Sequence, residues 1–196
     1  MRDVVGALDA FALGEVRQID LARVNGRVFV NNVAMGVYGA VVQSPEYRAN
    51  KIRTTIRMLP GLIGSDAEPF DLRYERPDGQ KRRTAGLLLV SNNPYGIALR
   101  PRRGTRGGLD AGVLGVIAVT GPPPSGVDEW TTPAFRVESG ATIALGIDGE
   151  SVEMEAPLVF ECLPRALTIR VPARRFADTP PSARLRTVVT RRRAAP

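Results

Sequence analysis

The sequence predicts a mainly β fold, a sandwich or barrel of short, largely antiparallel strands with one or two helices. Three observations carry this. Apolar residues alternate with polar ones, or run in short blocks, over most of 15–172. Turn signals separate the blocks, including Asn25-Gly26, Asp78-Gly79 and Asp148-Gly149. Only two stretches fit a helix, and many short strands with few helices favour a sandwich or barrel.

Taken in order, residues 4–13 are apolar and stop at Gly14, as a short helix would. "EVRQIDLARVNGRVFVNNVAMG" reads as strand, Asn25-Gly26 turn, strand, with alternation on both arms. Across 45–63 the period changes. Tyr47, Ile52, Ile56 and Leu59 recur at helical spacing, Pro45 suits a helix start and Pro60 a stop. The basic residues among them make a solvated face. "PFDLRYE" alternates, "RPDGQ" turns, and "RRTAGLLLVSNN" is a more continuously apolar strand whose exit is marked by Pro94. "AGVLGVIAVTG" is a further buried strand and "GPPPSG" a connector. Residues 135–172 then give four or five short strands. From Ala173 the chain turns Arg-, Pro- and Thr-rich and reads as a disordered basic tail.

Composition removes several chemistries. The one cysteine, Cys162, excludes an intramolecular disulfide framework and a cysteine-rich zinc site. Its place in "LVFECL" suits a small packing residue. The absence of histidine excludes His-dependent triads and His acid–base catalysis, which leaves carboxylates to handle protons. The net charge is +7, but residues 173–196 hold seven arginines against one aspartate, so the body is nearly neutral. A body-wide nucleic-acid surface is therefore not expected. No run of eighteen apolar residues occurs and the N-terminus does not resemble a signal peptide, so a cytoplasmic protein fits best. Neither a G-x-x-x-x-G-K-[ST] loop nor a G-x-G-x-x-G unit is present.

Several polar residues stand out from the strand pattern. Asp148 and Glu150 flank Gly149, and Asp-Gly between apolar residues is on its own a hairpin turn. Asn31, Asn32 and Gly36 either end a strand at a bend, with amides tying loops together, or line a cleft. Asn92 and Asn93 mark a strand exit whose side chains could also face that cleft.

Four pieces, in order, carry a resemblance: "VFVNNVAMGVYGAVVQSPEYRANKIRT", "LLLVSNNPYG", "GLDAGVLGVIAV" and "IDGESVEMEAPLVFECLPRALTIRVP". Together they resemble the C-terminal domain of the bacterial diacylglycerol kinase and sphingosine kinase family, a relative of the NAD kinases. The resemblance covers about 15–172. It implies a β-sandwich at 15–172, an interdomain remnant at 1–14 and the tail at 173–196. It also implies an ATP-dependent lipid kinase whose nucleotide half, with its Gly-Gly-Asp-Gly-Thr loop, does not occur in these 196 residues. A separate ATP-binding chain is one way to supply it.

By the same resemblance Asp148 is the base that takes the lipid hydroxyl's proton. Asp110, of Leu-Asp-x-Gly, and Glu150 fall on a magnesium network, and hard carboxylate oxygens suit that ion. Two family positions depart: Ala111 and Gly115 stand where some members have aspartates, which thins the metal site. The implied partners are a lipid alcohol, ATP with magnesium, and an anionic membrane surface reached by the arginine tail; no nucleic acid is expected. The other reading is a truncated, non-catalytic domain that binds lipid or a partner.

Overall fold

The structure is a computed structural model that describes residues 14–36, 70–84, 86–96, 105–106, 108–120 and 126–171. The helices expected at 4–13 and 45–63, most of the 121–126 connector and the tail lie outside these residues. The chain divides into two compact units, Met1–Arg17 with Thr168–Pro196, and Gln18–Leu167. Of the first, the described residues are the outer ends of two strands, where Arg17 and Glu15 form an ion pair at 3.0 Å. The core and the candidate site belong to the second.

Fourteen strands are described. In chain order they are β1 (Glu15–Val24), β2 (Arg27–Phe29), β3 (Asn32–Gly36), β4 (Leu72–Glu75), β5 (Lys81–Thr84), β6 (Leu87–Asn92) and β7 (Tyr95–Gly96). They continue with β8 (Thr105–Arg106), β9 (Leu114–Val119), β10 (Val127–Thr132), β11 (Ala134–Glu138), β12 (Ile143–Ile147), β13 (Glu150–Met154) and β14 (Leu158–Val171). They form a sheet in the order β2-β1-β14-β11-β4-β5, a second in the order β10-β9-β6-β3-β12-β13, and a β7-β8 pair. Ala22, Val24, Phe29, Tyr74, Phe135, Leu158 and Phe160 from the first sheet share one core with Val33, Met35, Val90, Val116, Leu145 and Ile147 from the second. This is the β-sandwich the sequence implies.

The second sheet is buried on its other face too. Ala34, Leu87, Leu89, Ile117 and Val119 alternate with the core residues and are themselves buried. Burial on both faces is why "LLLV" and "LGVIAV" read as continuous apolar runs instead of alternating ones.

Two expected strands are each divided between the sheets. The arm after Asn25-Gly26 pairs with β1 only through Arg27–Phe29; from Asn32 it pairs with β6 and β12 in the other sheet. Likewise "RRTAGLLLVSNN" is β5 at the edge of one sheet and β6 inside the other. The basic half is exposed and the apolar half buried, so composition already changes at the crossing. The turns behave as expected. Asn25 and Gly26 have φ of 45° and 84°, and Asp148 and Gly149 have 50° and 95°, the doubly positive pattern of tight hairpins. Three strands were not anticipated: the short β7-β8 pair, and β10, "VDEWTT", which pairs with β9 and places Trp130 in a stack on Tyr74, centroids 5.9 Å apart.

Gly36 ends β3 with φ +87°, and a Cβ there would collide with the Gly86 carbonyl oxygen. Gly36→Ala should therefore combine a left-handed alanine with overpacking. A loss of about 2–4 kcal/mol is expected in denaturant unfolding; an unchanged midpoint would show that β3 ends in a softer bend.

Candidate functional site

The site forms where the chain crosses from β2 to β3. Leaving one sheet for the other takes Val30 and Asn31 out of both ladders, and their N–H groups need new acceptors. Asp148 provides them. Its Oδ2 accepts the Val30 N–H at 2.8 Å, and its Oδ1 accepts those of Asn31 at 2.7 Å and Asn32 at 3.0 Å. In return the Asp148 N–H donates to the Asn32 carbonyl at 3.0 Å. The hairpin turn between β12 and β13 thus carries the carboxylate that caps the β2–β3 crossover. A carboxylate has about four acceptor positions. Three hold backbone N–H groups, which leaves one on Oδ2 of this exposed residue.

A second set of bonds lies beside the crossover. Asn92 Nδ2 donates to the carbonyls of Val30 at 3.1 Å and Asp20 at 2.9 Å, and its N–H donates to the Asn31 carbonyl at 3.1 Å. Asn93, at φ 66°, donates through Nδ2 to Asn92 Oδ1 and accepts the Ala111 N–H at 2.7 Å. Its own N–H meets the Val113 carbonyl. Ser91 Oγ caps the turn by donating to the Asn93 carbonyl at 2.7 Å. The chain at Pro94 then folds so close to β9 that a Cβ on Gly115 would stand 2.6 Å from Pro94 Cα. Glycine at 115 is explained by that approach. Asn92 and Asn93 thus act as loop ties. Asn31 accepts the Tyr95 hydroxyl through its Oδ1.

The sequence reading missed Asp20, the carboxylate at the centre of this second set. It is 1% exposed. Its Oδ2 accepts the Gly112 N–H at 2.7 Å, its Oδ1 accepts the Arg165 N–H at 2.8 Å, and its own N–H donates to the Leu109 carbonyl at 2.7 Å. Arg165 follows Pro164 at φ 53°, an irregular point in β14 whose freed N–H Asp20 takes up. A signal was available: Asp20, Ala22 and Val24 alternate with Leu21 and Arg23, so period two already places Asp20 on the inward face. Nearby, burial first and then the Asp20 charge push the Cys162 thiol up to about 11, so at neutral pH it is a protonated packing group and not a nucleophile.

Asp20 and Asn93 together grip the backbone on both sides of Asp110, which is left exposed at the tip of its loop. Glu150 begins β13 and faces Arg27 of β2 in an exposed ion pair at 2.8 Å. A protein-held magnesium ion needs several oxygens in near-octahedral array. Among the described residues no group of three or more Asp, Glu or Cys side chains gathers, and Glu150 is already paired. Asp110 and Glu150 do not by themselves fit such a site.

No family model matches the sequence. Two solved structures of diacylglycerol kinase-like proteins from Bacillus anthracis str. Sterne are similar in fold. One aligns with a TM-score of 0.56 at 21% identity, over 80% of this chain and 58% of that one. Another gives 0.55 at 20%, with the same coverage. The chain thus spans less than two thirds of the proteins it matches, and across 80% of its own length it has the fold of bacterial diacylglycerol kinase-like proteins.

Proposed function

We propose that the chain is the acceptor half of an ATP-dependent lipid kinase, which transfers the γ-phosphoryl group of ATP to the hydroxyl of a lipid alcohol such as diacylglycerol. The observation that carries this is Asp148. A carboxylate clamped by three backbone N–H groups, with one acceptor position left on an exposed edge, is a fixed receiver for a hydroxyl proton. Phosphoryl transfer asks the protein mainly for positioning and charge placement. In this reading the lipid oxygen attacks the γ-phosphorus, the bond to the β–γ bridging oxygen breaks, ADP leaves and the hydroxyl proton moves to Asp148 Oδ2. Val28 and Val30, each 50% exposed beside the crossover, offer apolar surface to the lipid. ATP, accompanied by magnesium as the co-substrate, belongs to a Gly-Gly-Asp-Gly-Thr half in the parent polypeptide or in a separate chain.

The test combines this chain with such a half and supplies labelled ATP and dioctanoylglycerol. Label appearing in the lipid, and lost with Asp148→Asn, supports the kinase reading. Saturable lipid binding without transfer in any pairing leaves the second reading, a non-catalytic lipid-binding domain. That reading draws on the absence of a phosphate-cradling loop from these 196 residues.

The arginine-rich segment gives this reading a way to reach its substrate. Basic residues near an anionic leaflet gain about 1 kcal/mol each. Arg174, Arg175, Arg184, Arg186 and the run at 191–193 would hold the chain at such a surface transiently. Co-sedimentation with anionic vesicles should exceed that with neutral ones and weaken in high salt. A chain ending at Pro172 should lose most of it; equal binding by that shorter chain would reject the tail as the membrane contact.

A further inference from the structure

Three buried side-chain polar atoms lack a hydrogen-bond partner among the described residues: Tyr74 Oη, Arg76 Nε and Asn32 Nδ2. The first two belong to side chains gathered at the Trp130 ring. Asn32 is the one beside Asp148, and it is 3% exposed. Other asparagines of the fold put their side-chain nitrogens to use. The side-chain amides of Asn25, Asn92 and Asn93 all donate to carbonyl or amide oxygens. An unmade hydrogen bond on a buried donor is costly and rare in native folds, and it calls for a ligand or a water.

Register says where the orphan stands. Ile147 of β12 pairs with Val33 of β3, so the next step sets Asp148 against Asn32. The two are tied in both directions: the Asn32 N–H donates to the side-chain Oδ1 of Asp148 and the Asp148 N–H donates to the Asn32 carbonyl, each at 3.0 Å. One of the pair has a spare acceptor, on Oδ2; the other has a spare donor, on Nδ2. A group that donates and accepts through one atom complements both, and a hydroxyl is that group.

We propose that Asn32 Nδ2 donates a hydrogen bond to the oxygen of the lipid alcohol whose proton Asp148 receives. This rests on the lipid-kinase reading and adds a residue to it. Asn32 keeps its protons throughout; it fixes the hydroxyl oxygen so that its proton points at Asp148 Oδ2 and a lone pair is free for phosphorus. The site therefore recognises the hydroxyl itself and not only the acyl chains.

The full chain is titrated calorimetrically with dioctanoylglycerol and with propanediol dioctanoate, which lacks the hydroxyl. The wild type should prefer the hydroxyl compound at least about tenfold, the scale of one hydrogen bond. Asn32→Leu, close in shape and without the orphan donor, should abolish the preference while leaving Tm unchanged or raised. Asn32→Ser should recover part of it. If Asn32→Leu keeps the preference, Asn32 holds a water or ties the fold, and the proposal fails while the lipid reading survives. If the wild type binds neither compound, or both alike, the lipid-alcohol reading itself falls and takes this proposal with it. Should Asn32→Leu lose both preference and Tm, Asn32→Ser decides. Normal Tm with partial preference upholds the proposal, and normal Tm with none overturns it. If Asn32→Ser also loses Tm, Asn32 is a tie within the fold and the proposal is rejected.

Discussion

Asp148→Asn, in an enzyme that contains both halves, should lower the rate of phosphoryl transfer by about two to four orders of magnitude, the range for losing a positioned general base. Asparagine suits the position. Its backbone tolerates the φ of 50° found there, and its amide oxygen can still accept the N–H groups of Asn31 and Asn32. Its amide nitrogen, however, faces the Val30 N–H that Oδ2 now accepts. One clamp bond is therefore lost along with the basic site, at about 1–3 kcal/mol of stability. The two effects separate experimentally. Denaturant unfolding reads the clamp, and single-turnover transfer at saturating lipid reads the base. A variant that is modestly less stable yet phosphorylates lipid at the wild-type rate would return Asp148 to a plain structural role. A variant of near-normal stability that transfers a hundredfold or more slowly supports proton removal by Oδ2.

The same residue shows how far a sequence can be read. Asp148-Gly149 was legible as a turn because φ above zero at two successive positions is a local demand that few residue pairs meet. Its carboxylate's targets, Val30, Asn31 and Asn32, lie more than a hundred residues away, and no local pattern encodes that distance. The division of "RVFVNNVAMG" between two sheets was invisible for a related reason. Alternation assigns each residue to a face, but not to a sheet, and the switch depends on acceptors supplied by other strands. Strand β10 escaped because "VDEWTT" is half-exposed throughout and lacks an apolar run. Asp20 is the instructive omission. Its inward position follows from the alternation of β1, but a lone aspartate in a strand has no motif, and only the structure reveals the irregular backbone that needs it. The resemblance correctly led to the fold. The asparagines that stood out from the strand pattern differ in the structure: Asn92 and Asn93 tie loops and Asn31 accepts the Tyr95 hydroxyl, while Asn32 Nδ2 has no partner among the described residues.

Asp20→Ala should produce the largest loss of stability, about 2–6 kcal/mol, because it removes the buried carboxylate that two part-buried N–H groups, those of Gly112 and Arg165, donate to, and a hydrogen bond to a charged group contributes about 1–3 kcal/mol. Neither group has an easy substitute. Gly112 sits at φ +70° in the loop that carries Asp110, and Arg165 at φ 53° follows a proline within β14, so both backbones are held in conformations that the bonds to Asp20 help define. Asp20→Asn keeps one acceptor oxygen and the side-chain shape, and should fall between alanine and wild type. The loss should also be localised. Hydrogen exchange is expected to quicken first at Gly112 and Arg165, then along 109–113, where Asn93 still holds Ala111 and Val113. The 25–26 hairpin turn, tied by Asn25 to the Pro157 carbonyl and the Val159 N–H, should be unaffected until global unfolding. Uniform acceleration across all strands would mean that Asp20 supports the whole sandwich and not this loop in particular. Wild-type stability in Asp20→Ala would mean that water satisfies both N–H groups and that the buried carboxylate serves a purpose other than holding Leu109–Gly112.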